Sequence, residues 1–156
     1  MSYARHSRGG AEIAALGHLD PWEAALIRNL RLWGEGPSGQ AHIRRDFDAA
    51  LPGAEAERAW HHLDDLLSRI VATAARPMVW HEVHCSSVGA DECVFAHLVG
   101  TASAGHLGDA ALIATLLVGP AHAEHVALLA GEVGTCARRI HQSHPGLPRR
   151  QGARLH

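Results

Sequence analysis

The chain has 156 residues, of which 47% are hydrophobic and 19% are charged, so an intrinsically disordered protein is excluded and one folded domain is expected. Its net charge of −2 conceals an asymmetry, because all sixteen acidic residues lie between Glu12 and Glu132, whereas residues 9–137 contain only seven of the fourteen Arg. The chain contains no Lys, which excludes mechanisms that require a lysine Schiff base.

The acidic body and its basic ends restrict the partners and the compartment. We expect another protein as the partner, and contact with nucleic acid only through the basic tails. The longest uncharged apolar run, at 110–123, is shorter than the roughly 18 to 20 residues that cross a bilayer. The three Cys do not form a secreted disulfide pattern, and the N-terminus has no signal-peptide core. These features predict a cytoplasmic protein with reduced thiols and no membrane insertion.

Helix-start and helix-stop residues predict three helices in the first half of the chain, at about 20–34, 38–51 and 54–75. Asp20 is a favoured N-cap residue, and Pro21 stands at the favoured first helical position. Ser38 is the predicted cap of the second helix. Arg76-Pro77 ends the third, because the residue before a proline disfavours helical geometry.

The second half predicts an irregular connection and three more helices, at about 91–105, 109–119 and 122–141. No helical period is visible at 77–90, so we expect no regular element there. Asp91 and Asp109 are the predicted start residues of the fourth and fifth helices. In the fifth helix we expect four apolar side chains to be buried: Leu112, Ile113, Leu116 and Leu117.

These elements predict an all-α fold, a single compact domain of five or six helices that are largely antiparallel. The domain is expected at 19–141. Before it, residues 1–18 form an N-terminal segment that is predicted to be partly mobile. After it, residues 142–156 contain two Pro, two Gly and three Arg, which predicts a mobile basic tail.

The connection and the start of the fourth helix concentrate residue types that bind metal: His81, His84, Cys85, Cys93 and His97. Zn²⁺ takes four such ligands in a tetrahedron. Cys93 and His97 are four residues apart and therefore share one face of a helix. With His81 and Cys85 from the connection, and His84 in reserve, they form a candidate site for a structural or sensory Zn²⁺. The alternative is that Cys93 is a small core residue and the histidines are solvated.

The sequence Gly-Ala-Asp-Glu at 89–92 lies inside this segment and has its own explanation. Gly89 suits a turn, Asp91 is the predicted N-cap, and Glu92 is favoured by the helix dipole early in a helix. The alternative is that Asp91 or Glu92 is a further metal ligand, or an acceptor that fixes the tautomer of a histidine.

The segment at 81–97 resembles one in a family of uncharacterised small helical bacterial proteins, in which a His precedes a Cys-x-Cys followed by Gly-Ala-Asp-Glu and a Phe. The matching residues are His81, Cys85, Gly89, Ala90, Asp91, Glu92 and Phe95. This chain departs from the pattern at the second Cys, where it has Ser87. The resemblance implies a helical fold and singles out this segment, but it carries no activity.

Three function hypotheses follow from the sequence. The first is a regulatory or adaptor protein that holds Zn²⁺ at the site above. The second is a metal-free protein–protein interaction module that uses one of four Trp as its anchor: Trp22, Trp33, Trp60 or Trp80, of which Trp80 lies outside the helical stripes. The third is a thiol- or metal-dependent enzyme. The chain has no Walker loop, nucleophile elbow or H-E-x-x-H motif, so a binding role is favoured over an enzyme.

Overall fold

The structure is a computed structural model that describes residues 12–143. Six α-helices lie within this range: α1 Pro21–Gly34, α2 Pro37–Ala50, α3 Gly53–Thr73, α4 Ala90–Ser103, α5 Leu107–Ala114 and α6 Ala123–Gln142. Two short strands accompany them, β1 Glu12–Ala15 and β2 Ser87–Gly89. The predicted all-α single domain is confirmed.

All six helices contribute to one main hydrophobic core, and the apolar face of α3 supplies its largest share. Ile43 of α2, Phe95 of α4 and Val126 of α6 are each fully buried in it. A second, smaller cluster joins Ile27 of α1 to Val88 of β2 and Ala96 of α4. Burial of these apolar side chains is the main stabilising contribution, and the second cluster fixes the end of the irregular connection against α1 and α4.

The helix starts follow the predicted ranges, but three of the predicted caps are wrong. Helix α2 begins at Pro37 after Gly36, whose positive φ of 85° suits glycine, and Ser38 is already inside the helix. The N-cap of α5 is His106, not Asp109. The N-cap of α4 is Gly89, and Asp91 makes other contacts that are described below.

Two of the leucines predicted to be buried at 109–119 are exposed. The exposed fraction is 70% for Leu112 and 60% for Leu116, whereas Leu117 is buried as predicted and Ile113 is half-buried. Helix α5 ends at Ala114, and the chain then turns, so the helical period does not continue to residue 119. The buried face of α5 is formed by its small residues, Ala110 and Ala114, because the helix lies close to its neighbours.

Residues 12–18, the described part of the predicted N-terminal segment, form β1 and a short 3₁₀ turn, and the prediction that residues 1–18 are partly mobile stays a prediction. β1 pairs with β2 in an antiparallel two-stranded sheet, and the Leu16 N–H donates to the Ser86 carbonyl at 2.7 Å. The irregular connection is confirmed for residues 77–86, and β2 adds a short strand at its end. The predictions for residues 1–11 and for the tail beyond Ser143 fall outside the described residues.

Candidate functional site

A fully buried ion pair lies where α1, α4 and the connection meet. The side chains of Arg31 and Glu92 are both 0% exposed, and Arg31 Nε donates to Glu92 Oε1 at 2.7 Å. Arg31 Nη2 donates to the other carboxylate oxygen at 3.0 Å, so the pair is bidentate. The buried charges of the two side chains therefore neutralise each other.

Both partners of this pair also hold the backbone of the connection. Arg31 donates to the carbonyl oxygens of Cys85 and Ser87 at 2.7 and 2.8 Å. Glu92 accepts the backbone N–H groups of His81 and Gly89, each at 3.0 Å. The ion pair thus replaces the hydrogen bonds that an irregular segment cannot make within itself.

Asp91, the neighbour of Glu92, anchors the beginning of the connection in the same way. Its carboxylate accepts two hydrogen bonds from Arg76, at 2.6 and 2.9 Å, and the backbone N–H of Val79 at 2.9 Å. Its side chain is only 2% exposed. The acidic pair of the Gly-Ala-Asp-Glu motif therefore organises the segment before it, which is why Asp91 is not free to cap α4.

Trp80 lies between the two anchored N–H groups, those of Val79 and His81. It is half-buried and packs on the last residue of α1, since a Cβ atom added at Gly34 would lie 2.6 Å from its ring. Beside it lies a shallow, mostly apolar surface, which we call the Trp80 surface; its apolar members are Val71, Ala74, Ala75, Pro77, Met78 and Trp80. The anchors fix the backbone on both sides of this aromatic side chain.

His81 is the predicted ligand that interacts most closely with this network. Its Nδ1 lies 3.1 Å from Glu92 Oε2, and its side chain is 22% exposed. An ionised carboxylate only accepts hydrogen bonds, so Nδ1 carries the proton of this contact, and Nε2 is the ring nitrogen that does not contact Glu92. The alternative prediction, that an acidic residue of the motif fixes a histidine tautomer, agrees with this geometry.

The pKa of Glu92 is lowered from its ordinary value. Burial alone raises the pKa of this carboxyl, but hydrogen bonds from Arg31 and from the N–H groups of Gly89 and His81 outweigh it. Glu92 is therefore the ionised partner on which the buried Arg31 depends.

The structure does not bring the predicted zinc ligands together. His84 is exposed on the connection, and Cys85 is half-buried there, where its carbonyl oxygen accepts from Arg31. Cys93 packs against the second cluster, and burial, helped by the charge of Glu92, raises the pKa of its thiol. His97 is exposed on α4. Within residues 12–143, no three His, Cys, Asp or Glu side chains are placed so that they could hold one metal ion.

The four Trp differ in exposure. Trp60 is buried in the main core, and the other three are partly buried against it. The Trp33 indole N–H donates to Asp64 at 2.9 Å, and Arg138 lies over the Trp22 ring at 5.1 Å from its centroid. Trp80 is the one that lies outside the helices, as predicted.

Sequence reasoning missed Arg31, the residue on which this site depends. Arg31 follows the buried Ile27 by four residues and so extends the α1 face that packs on α4 and β2. An Arg in line with a buried residue, in a chain with a compact acidic motif elsewhere, is the available signal. That signal identifies no partner, because the pair is 61 residues apart in sequence.

The fold and site define a small helical domain with an internally anchored surface loop. A comparison of the chain with known protein families, curated proteins and solved structures finds no match. The resemblance of residues 81–97 to a bacterial family therefore stays a prediction. In the described range, no helix has both the length and the apolar character needed to span a membrane.

Proposed function

We propose that this protein is a metal-free interaction module with a regulatory or adaptor role, which binds a partner protein at the Trp80 surface. One observation carries the proposal: Trp80 stands between two backbone N–H groups that are held by the buried carboxylates of Asp91 and Glu92. We also propose a cytoplasmic location; the three free Cys support it.

The anchors matter for binding because a surface that is already ordered loses less conformational entropy when a partner docks. Trp is enriched at the energetic centres of protein interfaces. Around Trp80, the exposed members of the surface include Val71, Ala75 and Pro77, so an apolar side chain of a partner would find an apolar environment.

Charge indicates the chemistry of that partner. Arg76 lines the Trp80 surface, but its charge is already paired with Asp91. Two carboxylates are close in the chain: Glu35 follows Gly34, on which Trp80 packs, and the exposed Glu82 lies two residues after Trp80. The partner segment is therefore expected to carry an aliphatic or aromatic side chain with Arg or Lys beside it.

Selection from a random peptide display library tests this proposal, with the Trp80→Ala protein used for counter-selection. Selected peptides should bind Trp80→Ala at least about tenfold more weakly than the wild type, as for an interface hot spot. Gly34→Ala should weaken them similarly, because the new methyl group displaces the Trp80 ring without removing it.

The double variant Leu112→Ala/Leu116→Ala is the matched control, since it removes one exposed apolar side chain from α5 and one from the turn after it, and leaves the Trp80 surface intact. It should bind the selected peptides as the wild type does. The proposal is wrong if no peptide is selected, if binding survives Trp80→Ala, or if binding is lost in the Leu112→Ala/Leu116→Ala control.

Zinc binding at the predicted ligands is the second candidate function, and one observation favours it. Glu92 accepts a hydrogen bond from His81 Nδ1, which leaves Nε2 free as a ligand, and metal-binding histidines commonly have such a carboxylate partner. The remaining ligands, Cys85, Cys93 and His97, would have to move toward His81.

Elemental analysis of protein purified without an affinity tag tests the zinc candidate. It predicts about one equivalent of Zn²⁺, a lower Tm after chelation, and loss of the metal in Cys93→Ser. Less than about a tenth of an equivalent, with an unchanged Tm after chelation, contradicts it.

A further inference from the structure

A second concave site lies away from the Trp80 surface, between α1, α2, α3 and α6. It is a cleft of about 70 Å³, and we call it the α1/α6 cleft. Its floor is formed by the buried side chains of Leu26, Phe47 and Leu63. No residue of the Trp80 surface lines it.

Small residues leave this space open. Ala59 of α3 and Ala137 of α6 contribute one methyl group each, and Cys136 contributes a thiol whose pKa is raised by burial, so that it stays neutral. Protein interiors are normally filled to the density of organic crystals. A cleft of about 70 Å³ has room for more than one water-sized group, which suits a short alkyl chain.

The polar groups of the cleft lie at its edge. Asn29 and His141 line it, His141 being exposed in the last turn of α6. Trp22 forms a wall, and the guanidinium of Arg138 lies over its ring. One carboxyl, that of Glu23, lies near Arg138. The pKa of Glu23 is raised overall, mainly by burial and also by the charge of Asp20, and the charges of His97 and Arg138 only partly offset this.

We propose that the α1/α6 cleft binds a short-chain carboxylic acid, with the alkyl chain on the apolar floor and the carboxylate at the edge beside Arg138 and His141. A short chain is expected because the cleft is small. The charge of the head group follows from Arg138, whose guanidinium lies over the ring of Trp22, a wall of the cleft, and complements a carboxylate. His141 lines the cleft as a second hydrogen-bonding side chain. Asn29 adds an amide N–H donor for the same head group.

Calorimetric titration with hexanoate, 1-hexanol and hexylamine tests both parts of the proposal. All three carry the same chain, so the head group alone differs. Hexanoate should bind about threefold to fivefold more tightly than 1-hexanol, as for one partly exposed ion pair, and hexylamine should bind most weakly. Arg138→Gln should lower the affinity for hexanoate to that of 1-hexanol and leave the alcohol unaffected.

Ala137→Leu is the variant that fills the cleft. It should weaken hexanoate at least about tenfold, while the Tm stays the same or rises because the space is now occupied. Ala72→Leu makes the same change at an exposed position of α3 outside the cleft and should leave binding unchanged. Trp80→Ala should also leave it unchanged, so this proposal and the proposed function can fail separately.

Methyl NMR spectra of the wild-type protein locate the ligand without any variant. Hexanoate should shift the methyl signals of Leu26, Leu63 and Ile140, which line the cleft, and not those of Leu112 or Leu116. The proposal is overturned if none of the three compounds binds at concentrations up to about 10 mM, because the Kd expected of so small a ligand is about 1 mM. It is also overturned if hexylamine binds as tightly as hexanoate, or if Ala137→Leu binds hexanoate with the affinity of the wild type.

Discussion

Glu92→Gln is expected to lower the free energy of unfolding by about 3 to 5 kcal/mol. The substitution keeps the shape of the side chain but removes the charge that balances Arg31, and both side chains are 0% exposed. Arg31 cannot lose its proton, so it would remain as a buried and unbalanced cation. Urea unfolding at pH 7 measures the change, and a loss below about 1 kcal/mol would contradict the expected result.

Glu82→Gln is the matched control, because Glu82 is exposed on the same connection and should change stability by less than about 0.5 kcal/mol. Replacing both partners, as in Arg31→Leu/Glu92→Leu, should not restore stability. Buried ion pairs can often be replaced by apolar residues, but here four backbone groups of the connection would also lose their partners.

Acid should reduce the effect of Glu92→Gln. The folded-state pKa of Glu92 lies below its ordinary value of 4.5, so its ionised form stabilises the fold above that pH. This stabilisation is lost as the pH falls through the lower folded-state pKa. The difference in unfolding free energy between the wild type and Glu92→Gln should therefore shrink below pH 4.5, and a constant difference from pH 7 to the acid limit of folding would argue against it.

Gly39→Ala is expected to cost about 3 kcal/mol, at the upper end for an overpacking substitution. A Cβ atom at Gly39, a buried residue of α2, would overlap the carbonyl oxygen of Leu32 and lie 2.8 Å from the carbonyl carbon. These are backbone atoms near the end of α1, where the Leu32 oxygen also accepts the Glu35 N–H. Unlike a flexible side chain they cannot rotate away, so α1 and α2 must separate.

Gly108→Ala is the control for this prediction. Gly108 is also helical, but no atom lies within 4 Å of an added Cβ, so alanine should stabilise the protein by about 0.5 kcal/mol through its lower unfolded-state entropy. Thermal unfolding of both variants in one buffer gives the comparison. The contact argument is wrong if Gly39→Ala melts within a degree or two of the wild type.

The two anchored carboxylates connect stability with the proposed function. Asp91 and Glu92 hold the backbone on both sides of Trp80, so variants that weaken them should also increase the mobility of the Trp80 surface. Loss of peptide binding in Glu92→Gln is therefore expected to follow from loss of order, whereas Trp80→Ala removes the contact itself. The unfolding free energy distinguishes the two variants, because Glu92→Gln should lower it by the amount given above.

The sequence alone determined the helices, because their signals are local. The period of apolar residues, a Pro at the first helical position of α1 and a Pro after α3 fix the ranges to within a few residues. Local signals failed where a helix is short. The apolar run at Leu112 to Leu117 predicts burial, but α5 ends at Ala114, and packing of its small residues decides which face is inside.

Only the tertiary structure decided what the segment from His81 to His97 does. Its composition predicted a metal site, but composition does not show which side chains face one another. In the structure, Cys93 packs against the second cluster and His84 is exposed. The partner of Glu92 is an Arg in α1, far away in sequence. A buried charge needs an opposite charge in space, and the sequence does not contain the distances that show where that charge lies.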